Sequence, residues 1–291
     1  MHCVIATSGN APELRAGAEL QALLNDWQIA GPDLGGDASS LDTPFEQTLA
    51  AAAGLQGAAP LAAWAATPQG LQAPAWAWLS PLHLQLDAQQ AIALPPTLLA
   101  LDEAEGRALF ELLAPLFPTT EGWQFECLQP DRWLLGHEQL AGLQLASLNR
   151  IAQRSLSPWL PAERWLRRLQ NEAQMLLHEH PINQARAARG ALIVNSVWMW
   201  GAGKGPALPS HLVLEPEPPL DPAEHAEHWA RLDGGPIAAL RREAAAGRPA
   251  RLTLAGDVRA RSWLPAKPRW RWPWQRRQAP ALTELLRELD Q

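Results

Sequence analysis

Between His180 and Pro206 the chain sets five polar side chains at short spacing: Asn183, Arg186, Arg189, Asn195 and Lys204. Two guanidiniums and an ammonium are donors suited to an anionic ligand, and two amides add directional hydrogen bonds. The Gly201-Ala-Gly-Lys204-Gly-Pro206 turn carries the glycines of a phosphate loop without its order. A Walker pattern needs a glycine where Trp198 stands and a hydroxyl residue where Gly205 stands, and Pro206 opposes an immediate helix. Lys204 therefore either meets an anion as a point charge or sits in a solvated turn.

Other reactive side chains form less complete patterns. His225 and His228 lie three apart on one helical face, but zinc needs at least one more placed ligand. His178-Glu-His180 stands at a helix end, where the dipole alone favours histidine. Asp33 and Asp37 lack the calcium-loop series and read as a solvated loop. Neither Cys3 nor Cys127 has a nucleophile context, and no Gly-x-Ser-x-Gly elbow occurs. Lys267 to Arg277 interleaves five cations with Trp270, Trp272 and Trp274. That run suits base stacking or a membrane interface, or else an edge strand turning its tryptophans inward. No catalytic residue, metal site or cofactor follows from these patterns.

The elements that position these residues are read from hydrophobic period and punctuation. Cys3–Ala6 is a buried strand, and a helix follows from Glu13 to Trp27. Thr43 caps a helix opened by Pro44 and closed at Gly54, and Gln56–Pro74 reads as irregular. Ala75–Leu79 and His83–Leu86 are strands, and Asp102 caps a helix ended by Pro118. Trp123–Cys127 and Arg132–Leu135 pair as a hairpin. The clearest helix runs from Pro161 to His178. Asn183 is read as the cap of a short helix Gln184–Arg189, with Gly190 at its C′ position. Leu192–Trp200 is a central strand by its apolar run. His211–Leu214 and Arg251–Leu254 are strands. Helices are read over Asp221–Leu232, Pro236–Ala246 and Ala281–Leu289.

At 291 residues and 47% hydrophobic content, the chain can bury one large core or two smaller ones. No apolar run is long enough to span a membrane, and the start lacks a signal-peptide pattern. Two cysteines make no disulfide framework, so a cytoplasmic location is expected. Residues 241–291 hold 12 of the 24 basic residues and 5 of the 30 acidic ones. That basic tail can fold onto the acidic remainder or meet an anionic partner. Nucleic acid is disfavoured by the net charge of −6.

The string His180-Pro-Ile-Asn183, then Gly190, Asn195 and Gly201-Ala-Gly-Lys204-Gly-Pro206, resembles archaeal-type cofactor-independent phosphoglycerate mutases. The likeness is best over Pro161–Pro206 and extends more weakly back to Ala75. With Arg164–Leu177, Val194-Asn-Ser-Val-Trp198 and the Trp/Arg tail, the whole chain also resembles a proteobacterial phosphoglycerate-mutase-like group, labelled RPFE-type regulatory protein. The resemblance implies an α/β fold: a mixed sheet covered by helices, an alkaline-phosphatase-like core remnant and an inserted α/β subdomain. It divides the chain into 1–74, 75–206 and 207–291, the last with the basic tail.

The resemblance also marks what is missing. The mutases carry an Asp-Gly-x-Gly-Asp metal motif after their first strand, where this chain has Thr7-Ser8-Gly9-Asn10. A later Gly-Asp-His is here Gly256-Asp257-Val258, and the phosphoryl-accepting serine has no evident counterpart. The expectation is a non-catalytic binding or regulatory protein for a phosphorylated small molecule, with Asn183, Arg186, Arg189, Asn195 and Lys204 as ligand contacts, or one acting on a protein partner. The alternatives are a metal-dependent mutase or phosphatase with displaced ligands, and a nucleic-acid or protein module using the tail.

Overall fold

The computed structural model describes residues 1–7, 16–86, 90–215, 222–266 and 280–291. The Lys267 to Arg277 run, Ser8 to Asn10 and Asp221 lie outside these. In chain order the first half contains β1 (His2–Ala6), α1 (Ala18–Asp26), β2 (Trp27–Ile29), β3 (Leu34–Gly35), α2 (Pro44–Ala52) and α3 (Leu61–Ala66). Then come β4 (Trp76–Leu82), β5 (Leu84–Leu86), β6 (Ala91–Ala93), α4 (Glu103–Leu113), β7 (Gln124–Gln129) and β8 (Arg132–Gly136). The second half has α5 (Leu148–Ile151), α6 (Arg164–Leu177), α7 (Pro181–Ala188), β9 (Ser196–Gly203) and β10 (Leu212–Glu215). It ends with α8 (Pro222–Leu232), α9 (Ala238–Ala245), β11 (Arg251–Ala255), β12 (Arg259–Pro265) and α10 (Leu282–Leu289). No helix among the described residues is long and apolar enough to cross a membrane.

The chain is mixed α/β and separates into two units, Met1–Gly54 with Leu208–Gln291, and Leu55–Ala207. The first unit is built on a mixed sheet in the order β10-β1-β11-β12-β2, with β3 also on β12. β1 runs parallel to β10 and β11, and β12 is antiparallel to its neighbours. Alternation along the strands gives this sheet two different faces. Cys3, Ile5, Leu252, Leu254 and Trp263 pack with Leu20, Leu23, Leu240 and Leu285 in one apolar core. The opposite face carries His2, Arg251, Thr253 and Ser262, as the registers His2↔Arg251 and Thr253↔Ser262 require. There α2 packs across β1, β11 and β12. It opens with a capping box: Thr43 Oγ1 accepts from Glu46 N (3.3 Å), and Glu46 Oε2 accepts from Thr43 N (2.8 Å).

The second unit holds an antiparallel sheet β7-β8-β4-β9 and the hairpin β5-β6. Its core joins Leu109, Leu113, Trp133, Leu166, Leu169 and Leu177 from α4, β8 and α6. The apolar stretch read as a central strand begins later, at Ser196, and lies at the sheet's edge. It is apolar because α3 and α6 pack on it and both indoles are buried with satisfied N–H groups. Trp198 Nε1 donates to Ala146 O (2.9 Å) and Trp200 Nε1 to Ser80 Oγ (3.1 Å). Gln56–Pro74 is not wholly irregular: α3 forms there from alanines and packs on β4 and β9. The division of units consequently falls at Gly54/Leu55 rather than at 74/75.

Candidate functional site

All five side chains singled out between His180 and Pro206 fall in the second unit, and four are engaged in holding it together. Asn183 is buried on α7, where its Nδ2 donates to Leu177 O (2.9 Å) and Val194 O (2.7 Å). Its Oδ1 accepts from Val194 N (2.8 Å), so the amide ties the end of α6 to the approach to β9. The cap of α7 is instead His180, whose Nδ1 accepts from Ile182 N (3.3 Å). Gly190 adopts φ +75° just past that helix, the left-handed turn that favours glycine.

Arg186 is fully buried. Its Nε donates to Leu192 O (2.7 Å), Nη1 to Glu105 Oε2 (2.7 Å), and Nη2 to Leu99 O. Arg189 reaches the other oxygen of the same carboxylate (2.6 Å) with its own side chain half exposed. Glu105 lies in the first turn of α4, where the helix dipole favours its charge. Asn195 acts as a short strand partner: Oδ1 accepts from Leu84 N (2.7 Å) and Nδ2 donates to Leu84 O (2.9 Å). Asn183 and Asn195 both line a cavity of about 220 Å³ with His178, Glu179 and Ile193. Arg186, Arg189 and Lys204 are not among its lining residues. Lys204 is exposed just beyond β9.

The remaining candidate metal and charge patterns resolve into pairs. Trp229 Nε1 donates to His225 Nε2 (3.1 Å) on α8, whereas His228 Nδ1 lies 3.1 Å from Arg231 Nη2. Burial first, and the Arg231 charge second, hold His228 below the ordinary imidazole pKa. Asp33 is no solvated loop residue: Arg261 grips its carboxylate in a forked pair at 2.8 to 3.2 Å. Among the described residues no group of three or more His, Cys, Asp and Glu is arranged to hold a metal. Among the described residues, those at the ends of β1 and β11 do not fit a two-metal centre.

The carboxyl end of β11 is closed by the chain itself. Val258, where the resemblance puts a histidine, is buried, donating its N–H to Leu289 O (3.2 Å) and accepting at O from Gly36 N (2.8 Å). Asp257 N donates to Asp290 Oδ1 (2.8 Å). A Cβ on Gly256 would stand 2.7 Å from Leu289 O, so the end of α10 packs tightly over this strand end.

The opposite edge of the same sheet is open. Beneath the second half of α2 lies a cavity of about 670 Å³, within the usual range for small-molecule sites. Its polar lining includes His2, Thr48, His211, Arg248, Arg251 and Ser262, and among the described residues no carboxylate lines it. His2 Nε2 lies 2.8 Å from Thr253 Oγ1, which lies 2.8 Å from Ser262 Oγ, a hydrogen-bonded row across three strands. Burial, then the charges of Arg251 and His211, push the His2 pKa down to about 4. Arg248 is held by Glu243 through two bonds of 2.6 Å. Among the described residues, Arg251 has no hydrogen-bond or ion-pair partner for its guanidinium. Sequence reasoning passed over this cavity because its lining comes from segments far apart in the chain.

No protein-family model matches the chain. A stretch of 111 residues, 37% of the chain, is 30% identical to a probable 2,3-bisphosphoglycerate-independent phosphoglycerate mutase of Geobacter sulfurreducens. A stretch of 41 residues is 39% identical to a 2,3-bisphosphoglycerate-independent phosphoglycerate mutase of Methanothrix thermoacetophila. These matches cover 28% and 10% of the respective proteins, so the chain spans well under two thirds of the curated relatives it matches. A cofactor-independent phosphoglycerate mutase from Thermoplasma acidophilum aligns with a TM-score of 0.36 at 13% identity, over 90% of this chain and 89% of that one. A Pyrococcus horikoshii protein aligns at 0.45 with 11% identity, over 91% and 87%.

Proposed function

We propose that this chain is a non-catalytic binding or regulatory protein for a phosphorylated small molecule, built on a scaffold related to cofactor-independent phosphoglycerate mutases. The single observation that carries the reading is the closed end of β11, with Val258 buried and backbone-bonded where a metal-binding histidine would stand. Open α/β sheets bind ligands outside the carboxyl ends of their strands. Here the end of α10 packs on that position. Two-metal phosphoryl transfer needs cations to offset phosphate charge and activate the attacking hydroxyl. Thr7-Ser8-Gly9-Asn10 brings no aspartate to the first strand end, in keeping with the same reading. The likeness over 111 residues to the Geobacter mutase supports a shared scaffold. The reading places the chain in the cytoplasm, within the RPFE-type regulatory group, with an alkaline-phosphatase-like core remnant in the first unit.

The test is a coupled assay of 3-phosphoglycerate conversion to 2-phosphoglycerate with added manganese or zinc, beside calorimetric binding of 3-phosphoglycerate. Binding without turnover is expected. Turnover proportional to protein concentration would overturn the non-catalytic reading.

A further inference from the structure

The amino-terminal edge of the first unit's sheet has the features of an anion site. Three observations meet there. The 670 Å³ cavity is lined by Arg251, Arg248 and His211, without a carboxylate among the described residues. The Arg251 guanidinium has no partner among the described residues, so its forked donors are available to a ligand. The sheet face behind it is polar, a row of His2, Thr253 and Ser262 where the opposite face is packed with leucine and isoleucine. Burying a polar row costs free energy unless each member is bonded, and this row is bonded only along itself until Ser262 reaches the cavity.

The arrangement follows from α2. Its later residues over the cavity are Thr48, Ala51 and Ala52, which are too small to fill the space above His2 and Ser262. Thr48 spends its hydroxyl on Pro44 O (2.8 Å) and offers no charge. Arg248 already neutralises Glu243, which leaves the Arg251 guanidinium to face an incoming group, with the His211 ring and the Met1 ammonium also lining the cavity. Burial first, and the Arg251 charge next, keep the His2 imidazole neutral, so it adds a hydrogen-bonding ring, not a cation.

We infer that this cavity binds a small phosphomonoester: its phosphoryl group lies against the Arg251 fork beside His211, and a hydroxyl on its body is read by Ser262 Oγ. Whichever way the His2–Thr253–Ser262 row donates, Ser262 keeps a lone pair for a ligand hydroxyl. The inference rests on the binding reading above and moves the ligand from the carboxyl end of the strands to the amino edge.

The experiment is titration calorimetry of the full chain at low ionic strength with two probes, 3-phosphoglycerate and inorganic phosphate. Arg251→Ala is expected to weaken 3-phosphoglycerate binding by about tenfold or more, since a charge-assisted forked contact is lost. Ala51→Trp, which fills the cavity and leaves every charge in place, is expected to abolish it. Ser262→Ala is expected to weaken 3-phosphoglycerate severalfold and phosphate little. Arg168→Ala, on the exposed face of α6, is the control for general loss of positive charge.

Binding that survives both Arg251→Ala and Ala51→Trp would overturn this site and leave the binding reading standing. Failure of the wild-type chain to bind either probe would overturn the site, as would phosphate bound as tightly as the ester. Metal-dependent turnover would refute the non-catalytic reading without touching this cavity.

Discussion

Arg186→Ala separates a structural arginine from a ligand-binding one. In the structure the side chain has no exposure and spends every arm: two backbone carbonyls, Leu192 O and Leu99 O, and one oxygen of Glu105. Truncation leaves both carbonyls without this donor, and Glu105 with the half-exposed Arg189 as its cationic partner. Removing one member of a buried pair costs roughly 3–5 kcal/mol, and each orphaned acceptor alone costs about 1–3. We expect about 4 kcal/mol in all, because water entering the vacated space partly satisfies the carbonyls. With a urea m-value of about 2 kcal/mol/M, the second unit's unfolding midpoint should fall by roughly 2 M. Arg189→Ala should cost about 1 kcal/mol or less, since its side chain is half exposed. The assay is urea unfolding followed by tryptophan fluorescence, with the transition assigned to the second unit by hydrogen exchange of β4 and β9 amides. A loss below about 1 kcal/mol would refute the reasoning. So would 3-phosphoglycerate binding weakened at unchanged stability, because Arg186 would then be free to meet ligand.

Three further predictions follow from single positions. The folded His2 pKa of about 4 lies below the unfolded value of 6.5, so the unfolded chain binds more protons between those limits. Stability should therefore fall as pH drops from 6.5 towards 4, by up to about 1.4 kcal/mol per unit, and His2→Asn should flatten that part of the curve. Gly106→Ala places a methyl 2.7 Å from Pro130 O, on α4 where it meets the turn between β7 and β8. It should destabilise the second unit by about 1–3 kcal/mol in urea titrations, as overpacking does, where a neutral result would mean the turn can shift aside. Cys3, whose thiol burial pushes up to about 12, should resist an aromatic disulfide reagent at pH 8 until the first unit opens. Immediate labelling of Cys3 in the native chain would contradict its burial.

What the sequence disclosed was what local pattern can carry. α6 shows its apolar face at helical spacing, and Leu166, Leu169, Ala173 and Leu177 are the residues it buries. Thr43 and Pro44 mark α2 because the cap chemistry is local. The hairpin β7–β8 was legible from alternation on either side of Pro130-Asp131. Strands whose partners are distant were not. β12, with its Arg-Ala-Arg-Ser-Trp pattern, gains its pairing from β11, β2 and β3, and the three residues of β2 gain theirs from β12. Asn183 was read as a cap, the commoner local role, whereas its bonds go to Leu177 and Val194, a closure only the folded chain provides. The candidate ligand contacts were identified from residue type alone, and type could not show that Glu105, eighty-one residues before Arg186, already holds that charge. Nor could it show that His2, Arg251 and Ser262 share a face, since that depends on β1 and β12 both pairing with β11.

The most direct test of the account is a crystal structure of the full chain soaked with 3-phosphoglycerate. The account predicts the phosphoryl group beside Arg251 and the ligand hydroxyl at Ser262, beneath α2. A ligand bound instead at the carboxyl end of β1 and β11, between Thr7 and Asp257, would contradict it.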